Sequence, residues 1–263
     1  MNNKLLMALS AAAVITVSGC TTMAEMAGAD TASLNVMATE GFNKTVQEAR
    51  GNKTLDTSSA TYRRINTVFN NLRPYADQLN QTGEKFDWQL AVLKSDTVNA
   101  YVAPGGKVVF YTGIVNKLNL TDAEIAAVMG HEMTHALEEH SKSKIGAQAL
   151  TNMAIGIGKS YAGASIGDLG SAALDFGAQV GVGLPYSRNL ESRADQGGLM
   201  IMARAGYNPQ AAISLWEKMN KLDGGGSGTS FLSTHPSNTQ RIEAMRKNLA
   251  AAQTVYNQSS VKR

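Results

Sequence analysis

The chain has a single cysteine, Cys20, in 263 residues. An internal disulfide is therefore excluded, and any staple must come from packing or from a bound metal. Histidine is scarce too: His131, His135, His140 and His235 are the whole set. Positive charge is not concentrated anywhere. The formal net charge is +3, lysine and arginine are scattered, and no basic run is interleaved with aromatics. Nucleic acid is not expected as a partner. Long hydrophobic runs are missing as well. Even the Gly/Ala-rich stretch 145–184 is interrupted, by Gly156, Gly158, Lys159, Gly163, Gly167, Asp168 and Asp175. No unbroken apolar span of about 20 residues exists there, so it reads as closely packed small-residue helices. No internal repeat is visible. What remains is an ordinary globular composition, 43% hydrophobic and 17% charged, with chain enough for a sizeable core.

The N-terminus reads as a targeting signal. Lys4 gives it a positive end, and Leu5 to Val17 form an apolar stretch too short to span a bilayer stably. Val17-Ser18-Gly19-Cys20 then places small residues before a cysteine, which resembles the bacterial lipobox with Cys20 as the lipidation site. The residue after it is Thr21 rather than Asp, which in Gram-negative lipoproteins favours the outer membrane. The expected division is a signal peptide over 1–19, a lipidated tether over 20–30 and one domain over 31–263.

Residues 31–50 and 58–80 carry helical spacing. Tyr62, Ile65, Val68, Phe69, Leu72 and Leu79 mark one face of the second helix, and Pro74 is expected to kink or split it. The period then changes to two. Phe86, Trp88, Leu90 and Val92 alternate with Asp87, Gln89 and Ala91, predicting a half-buried strand. Val98 to Ala103 and Lys107 to Tyr111 read as two more strands, joined through Pro104-Gly105-Gly106 as a hairpin. Thr121-Asp122-Ala123-Glu124 is a capping box, predicting a helix that starts there and runs past His140. Further helices are predicted over 187–204, from Pro209 to about Leu222, and after His235-Pro236 with Ile242, Met245 and Leu249 on one face. The fold class expected is α+β, mainly helical, with a small antiparallel sheet bordering the helix that holds the chemistry.

That chemistry is concentrated in His131-Glu132-Met133-Thr134-His135. Positions four apart share one helical face, so both imidazoles can meet one metal ion, best a single Zn2+. Glu132, beside the first ligand, lies too far round to coordinate well yet can reach a water on the metal as general base. A third protein ligand is needed. His140 follows five residues after His135, about 140° round a continuous helix, and cannot point at the same ion. Glu191 is the better candidate. Asp195 lies four residues on, where it can accept a ring N–H from a ligand histidine.

At this point the chain resembles the gluzincin peptidases of the HtpX and CAAX-prenyl-protease superfamily, within it the soluble periplasmic lipoprotein branch. Four segments carry the likeness in order: Val98 to Gly106, Gly130 to Leu137, Glu191 to Asp195, and Thr234 to Ser237 followed by Arg241. The resemblance implies a zincin-like fold and a zinc endopeptidase. It implies that His235 stabilises the tetrahedral oxyanion, that Asn99 and Ala100 lie on a strand that holds the substrate backbone, and that Arg241 orients its loop or pairs with an acidic neighbour. Many relatives have transmembrane helices. Their lack here favours unfolded or damaged envelope proteins as substrates, a lipid-anchored location on the periplasmic face of the outer membrane, and outer-membrane assembly factors as further partners. The competing expectation is a chaperone-like or binding lipoprotein with a latent or structural zinc site. The glycine-rich stretch 224–228, just before His235, is expected to be either a segment that opens the cleft or a plain linker.

Overall fold

The computed structural model describes residues 21–26, 28–149, 186–223, 230–236 and 239–263. Cys20 and the apolar leader, the stretch 150–185 and the glycine loop lie outside the described residues. In chain order the elements are α1 (residues 21–26), α2 (Thr31–Gly51), β1 (Leu55–Asp56), α3 (Ala60–Leu79), β2 (Gln89–Leu93), β3 (Ala100–Ala103), β4 (Lys107–Tyr111), α4 (Thr112–Lys117), α5 (Asp122–Leu137), α6 (residues 140–149), α7 (Arg188–Arg204), α8 (Gln210–Asp223), α9 (Ser230–Thr234) and α10 (Thr239–Gln258). Among the described residues, no helix is long and apolar enough to cross a membrane.

Local chemistry sets the helix starts. Asp30, Ser59, Thr121 and Ser187 each accept a hydrogen bond from a first-turn amide of the helix they precede. The capping box at α5 is complete, with Glu124 reaching back to the Thr121 N–H. Pro74 does not split α3. Ile65, Val68, Phe69, Leu72 and Ala76 are buried on both sides of it, and that packing outweighs the hydrogen bond the proline removes. The segment expected to be a tether is partly docked: residues 21–26 are helical, and Ala24 and Ala29 pack with Leu34 and Ile145.

The sheet departs from expectation. Its order is β1-β2-β4-β3, and β2 pairs with β4 in parallel, from Gln89 opposite Lys107 to Leu93 opposite Tyr111. The sheet is mixed, not antiparallel, because the chain leaving β2 goes first to the outer position and the β3–β4 hairpin then returns β4 into the gap. The hairpin turns on Gly105 (φ 71°) and Gly106 (φ 81°), and a Cβ on Gly106 would sit 2.6 Å from the Trp88 ring. The half-buried alternation expected of β2 is also absent. Val92 faces the main core, while Ala91 and Leu93, with Val109, pack against Phe42 and Ala49 of α2. A helix on each face leaves no solvated side to this strand.

α5 does not run past His140. It ends at Leu137, Glu139 adopts a left-handed φ of 50°, and the chain resumes helix at residue 140. No glycine or proline announces the break. It is held by Thr31 Oγ1, which donates to Glu139 Oε1 at 2.6 Å, and by Lys142 Nζ, which donates to Glu25 Oε1 at 2.8 Å. α5 itself is buried along most of its length, flanked by α3, α7, α8 and β3. Its approach to α7 is made by two glycines. A Cβ on Gly198 would lie 2.7 Å from the His131 amide nitrogen, and one on Gly130 would lie 2.9 Å from the Gly198 carbonyl. This contact brings Glu191 and Asp195, on the same helix as Gly198, to the histidine face of α5.

Candidate metal centre

His131 and His135 lie one turn apart on α5, with their Nε2 atoms 3.0 Å from each other. Glu191 in α7 meets both: its Oε1 is 3.2 Å from His135 Nε2, and its Oε2 is 3.5 Å from His131 Nε2. His235, following α9, completes the group. Its Nδ1 is 2.9 Å from Glu191 Oε1 and 3.2 Å from His131 Nε2. One ligand atom from each of these four buried residues falls within 4.8 Å of all the others. His235, expected from the resemblance only as an oxyanion donor, therefore sits within the group of residues that could hold a metal ion.

Glu132 lies beside this group rather than in it. Strand β3 packs against the helix that carries it. Its Oε1 is 3.4 Å from His235 Nε2 and is buried without a hydrogen-bond partner among the described residues. Burial raises this carboxyl above its ordinary range, against the pull of His235 and His131. A basic oxygen left unbonded beside three imidazoles and a carboxylate is what a metal-bound water would satisfy. The donor set is nitrogen and oxygen, suited to zinc, so these residues fit the ion.

The surroundings fix each ligand. His131 Nδ1 is 3.0 Å from Asp195 Oδ1. Arg241 grips Asp195 through Nε (2.6 Å) and Nη2 (2.8 Å), and reaches Glu191 Oε2 with Nη1 at 2.5 Å. Its guanidinium lies over the Trp216 ring, 3.8 Å from the centroid. Burial would raise both carboxyls. For Glu191 the histidines and Arg241 outweigh it, and for Asp195 chiefly Arg241 does, so both are held below the usual carboxylate range. Burial also pushes His135 well below its ordinary value, keeping it neutral as a ligand must be.

Asn99 and Ala100 are buried at the start of β3, the outer strand of the sheet, which packs against α5. The Asn99 Oδ1 accepts from the Ala100 N–H at 3.0 Å, so this side chain shapes its own strand. Two neighbours of the site were not expected. Tyr186 stacks on His135, with ring centroids 4.0 Å apart, and its hydroxyl lies 3.3 Å from Ser141 Oγ. His140, set aside as a ligand, is fully buried with its Nδ1 2.8 Å from His135 Nδ1. An isolated tyrosine carries no motif that would have flagged it, and His140 was placed on a helix that breaks before reaching it.

Two histidines one turn apart, an acidic residue next to the first of them and a glutamate from a following helix, beside a small sheet, form the kind of site that zincin metallopeptidases share. The chain belongs to peptidase family M48, whose model matches residues 59–249. Among its relatives, the mitochondrial metalloendopeptidase OMA1 of Schizosaccharomyces pombe is 38% identical over 167 residues, covering 63% of this chain and 48% of the relative. The metalloprotease LoiP of Escherichia coli is 27% identical over 206 residues, covering 78% and 77%. The metalloprotease YcaL of Escherichia coli is 27% identical over 167 residues, covering 61% of each. This chain spans about half the length of the OMA1 proteins of Schizosaccharomyces pombe and Saccharomyces cerevisiae.

Proposed function

We propose that this chain is a zinc-dependent endopeptidase acting on unfolded or damaged proteins of a bacterial envelope, anchored through Cys20 to the outer membrane and facing the periplasm. The observation that carries the catalytic reading is the convergence of His131, His135, Glu191 and His235 with the unbonded Oε1 of Glu132 beside them. Zinc, when bound, lowers the pKa of a coordinated water and polarises the scissile carbonyl. Glu132, placed beside these donors, would take a proton from the attacking water and pass it to the leaving amine. An extended peptide lies along β3, near Asn99 and Ala100, held by main-chain hydrogen bonds that demand little of its sequence. His235 Nε2 lies 3.4 Å from Glu132 Oε1, and in its Nε2–H tautomer, with Nδ1 released from Glu191, it can donate to the developing oxyanion.

The preference for unfolded chains rests on that strand pairing, which needs an extended backbone, and on the burial of the donor group. The test is cleavage of one protein in native and in reduced, alkylated form, with fractionation of cells expressing the parent or Cys20→Ala. Faster cleavage of the unfolded form and loss of membrane association in Cys20→Ala are expected. Equal cleavage of both forms removes the substrate proposal, and an unchanged membrane fraction removes the anchor.

A second reading comes from the position of His235 Nδ1. With four protein donors no coordination position stays open, so His235 would hold the enzyme latent until it withdraws. Zinc affinity separates the two: His235→Ala leaves it unchanged if the residue only meets the oxyanion, and weakens it if the residue ligates.

A further inference from the structure

The fourth histidine has no part in the donor group. His140 is completely buried, and both of its ring nitrogens are engaged: Nδ1 at 2.8 Å from His135 Nδ1, and Nε2 at 3.0 Å from Glu138 Oε2. Glu138 is held in turn by Arg193 Nε at 2.6 Å, and Arg193 belongs to the helix that supplies Glu191. The break in α5 creates this arrangement. On an unbroken helix residue 140 would lie about 140° from residue 135. With Glu138 closing the helix and Glu139 at φ 50°, the chain turns and sets His140 under His135.

We propose that Glu138 and His140 form a positioning relay that fixes the tautomer and ring orientation of His135, so that its Nε2 carries a free lone pair for the metal. This rests on His135 acting as a ligand through Nε2. The proton placement follows from the ends of the chain of contacts. A carboxylate only accepts, so neutral His140 must carry its proton on Nε2 and donate it to Glu138. Its Nδ1 is then a lone pair. The His135 Nδ1 facing that lone pair must be the protonated nitrogen, and His135 Nε2, which faces His131 and Glu191, is left bare. The opposite assignment would place a proton on the ligating atom. His131 is fixed through Asp195 in one link; His135 is fixed through His140 and Glu138 in two.

The test uses the full chain with 15N-labelled histidine, without metal, together with His140→Phe and His140→Asn. The ring 15N shifts read the tautomer directly, and chelator competition reads zinc affinity. The parent is expected to carry the Nδ1–H tautomer at His135. His140→Phe is expected to move it to Nε2–H and to weaken zinc binding by about ten- to a hundred-fold. His140→Asn, whose amide oxygen occupies the place of Nδ1 and can accept the same proton, is expected to recover most of that loss. An Nε2–H tautomer at His135 in the parent overturns the proposal, as does a His140→Phe variant with parental affinity. If His140→Phe does not fold, the parent spectrum and the asparagine variant decide. Failure of the parent to bind zinc strikes the metal reading instead, because the tautomer is read in its absence.

Discussion

His131 Nδ1 lies 3.0 Å from Asp195 Oδ1, a carboxylate held on both oxygens by Arg241. An ionised carboxylate can only accept, so a neutral His131 carries its proton on Nδ1 and turns a bare Nε2 toward Glu191 and His135, where a metal ion would be held. Asparagine offers a donor as well as an acceptor and permits the wrong tautomer. Asp195→Asn should lower zinc affinity about ten- to a hundred-fold by chelator competition, with the fold retained. A parental dissociation constant would show that the contact does not orient the ring.

Arg241 neutralises two buried carboxylates, Glu191 and Asp195. Removing one partner of a buried ion pair leaves an uncompensated charge and costs about 3–5 kcal/mol. Arg241→Met should lose about that much in denaturant unfolding of the metal-free protein, and less with zinc present, because the ion supplies the missing positive charge. A loss that is the same with and without zinc would contradict this electrostatic coupling.

Glu124 joins the start of α5 to α8. Lys218 Nζ donates to its Oε2 at 2.7 Å, Ser214 Oγ to its Oε1 at 2.8 Å, and the Thr121 N–H to its Oε2 at 2.8 Å. Burial would raise its carboxyl, but these donors win and hold it below the ordinary value of 4.5. The folded value lies below the unfolded one. The stabilisation is therefore full above pH 4.5 and is lost as pH falls through the folded value. In metal-free protein the stability gap between parent and Glu124→Gln should shrink from pH 7 toward pH 3. A gap independent of pH removes the ionic contribution.

The Gly130–Gly198 contact sets how closely α7 approaches α5. A methyl group on Gly198 meets backbone at 2.7 Å, where no flexible side chain can give way. Gly198→Ala should cost about 1–3 kcal/mol in unfolding free energy, as overpacking does. Because α7 carries Glu191 and Asp195, zinc affinity should fall with it. An alanine variant that unfolds and binds zinc like the parent would mean that the two helices sit farther apart.

Much of this was legible because the signals are short-range. The capping box at Thr121, the spacing of His131 and His135, and the turn at Gly105-Gly106 are each decided within a few residues. What was not legible depends on distant partners. The parallel pairing of β2 with β4 is a topological choice that alternation cannot report. The end of α5 at Leu137 depends on Thr31 and Glu25, more than a hundred residues away. The burial of His140 follows from that break. His235 was assigned only through a family likeness, since a histidine before a proline has no spacing rule to connect it to α5.

The most direct test of the account compares the parent with Glu132→Gln, both over residues 21–263, for bound zinc by elemental analysis and for cleavage of casein. Glutamine keeps the size of Glu132 but cannot take a proton from water. Both proteins should hold about one zinc per chain, and the variant should cleave about a hundred- to ten-thousand-fold more slowly. A variant that cleaves like the parent, or a parent that binds no zinc, would contradict the assignment of His131, His135 and Glu191 to the metal and Glu132 to the proton.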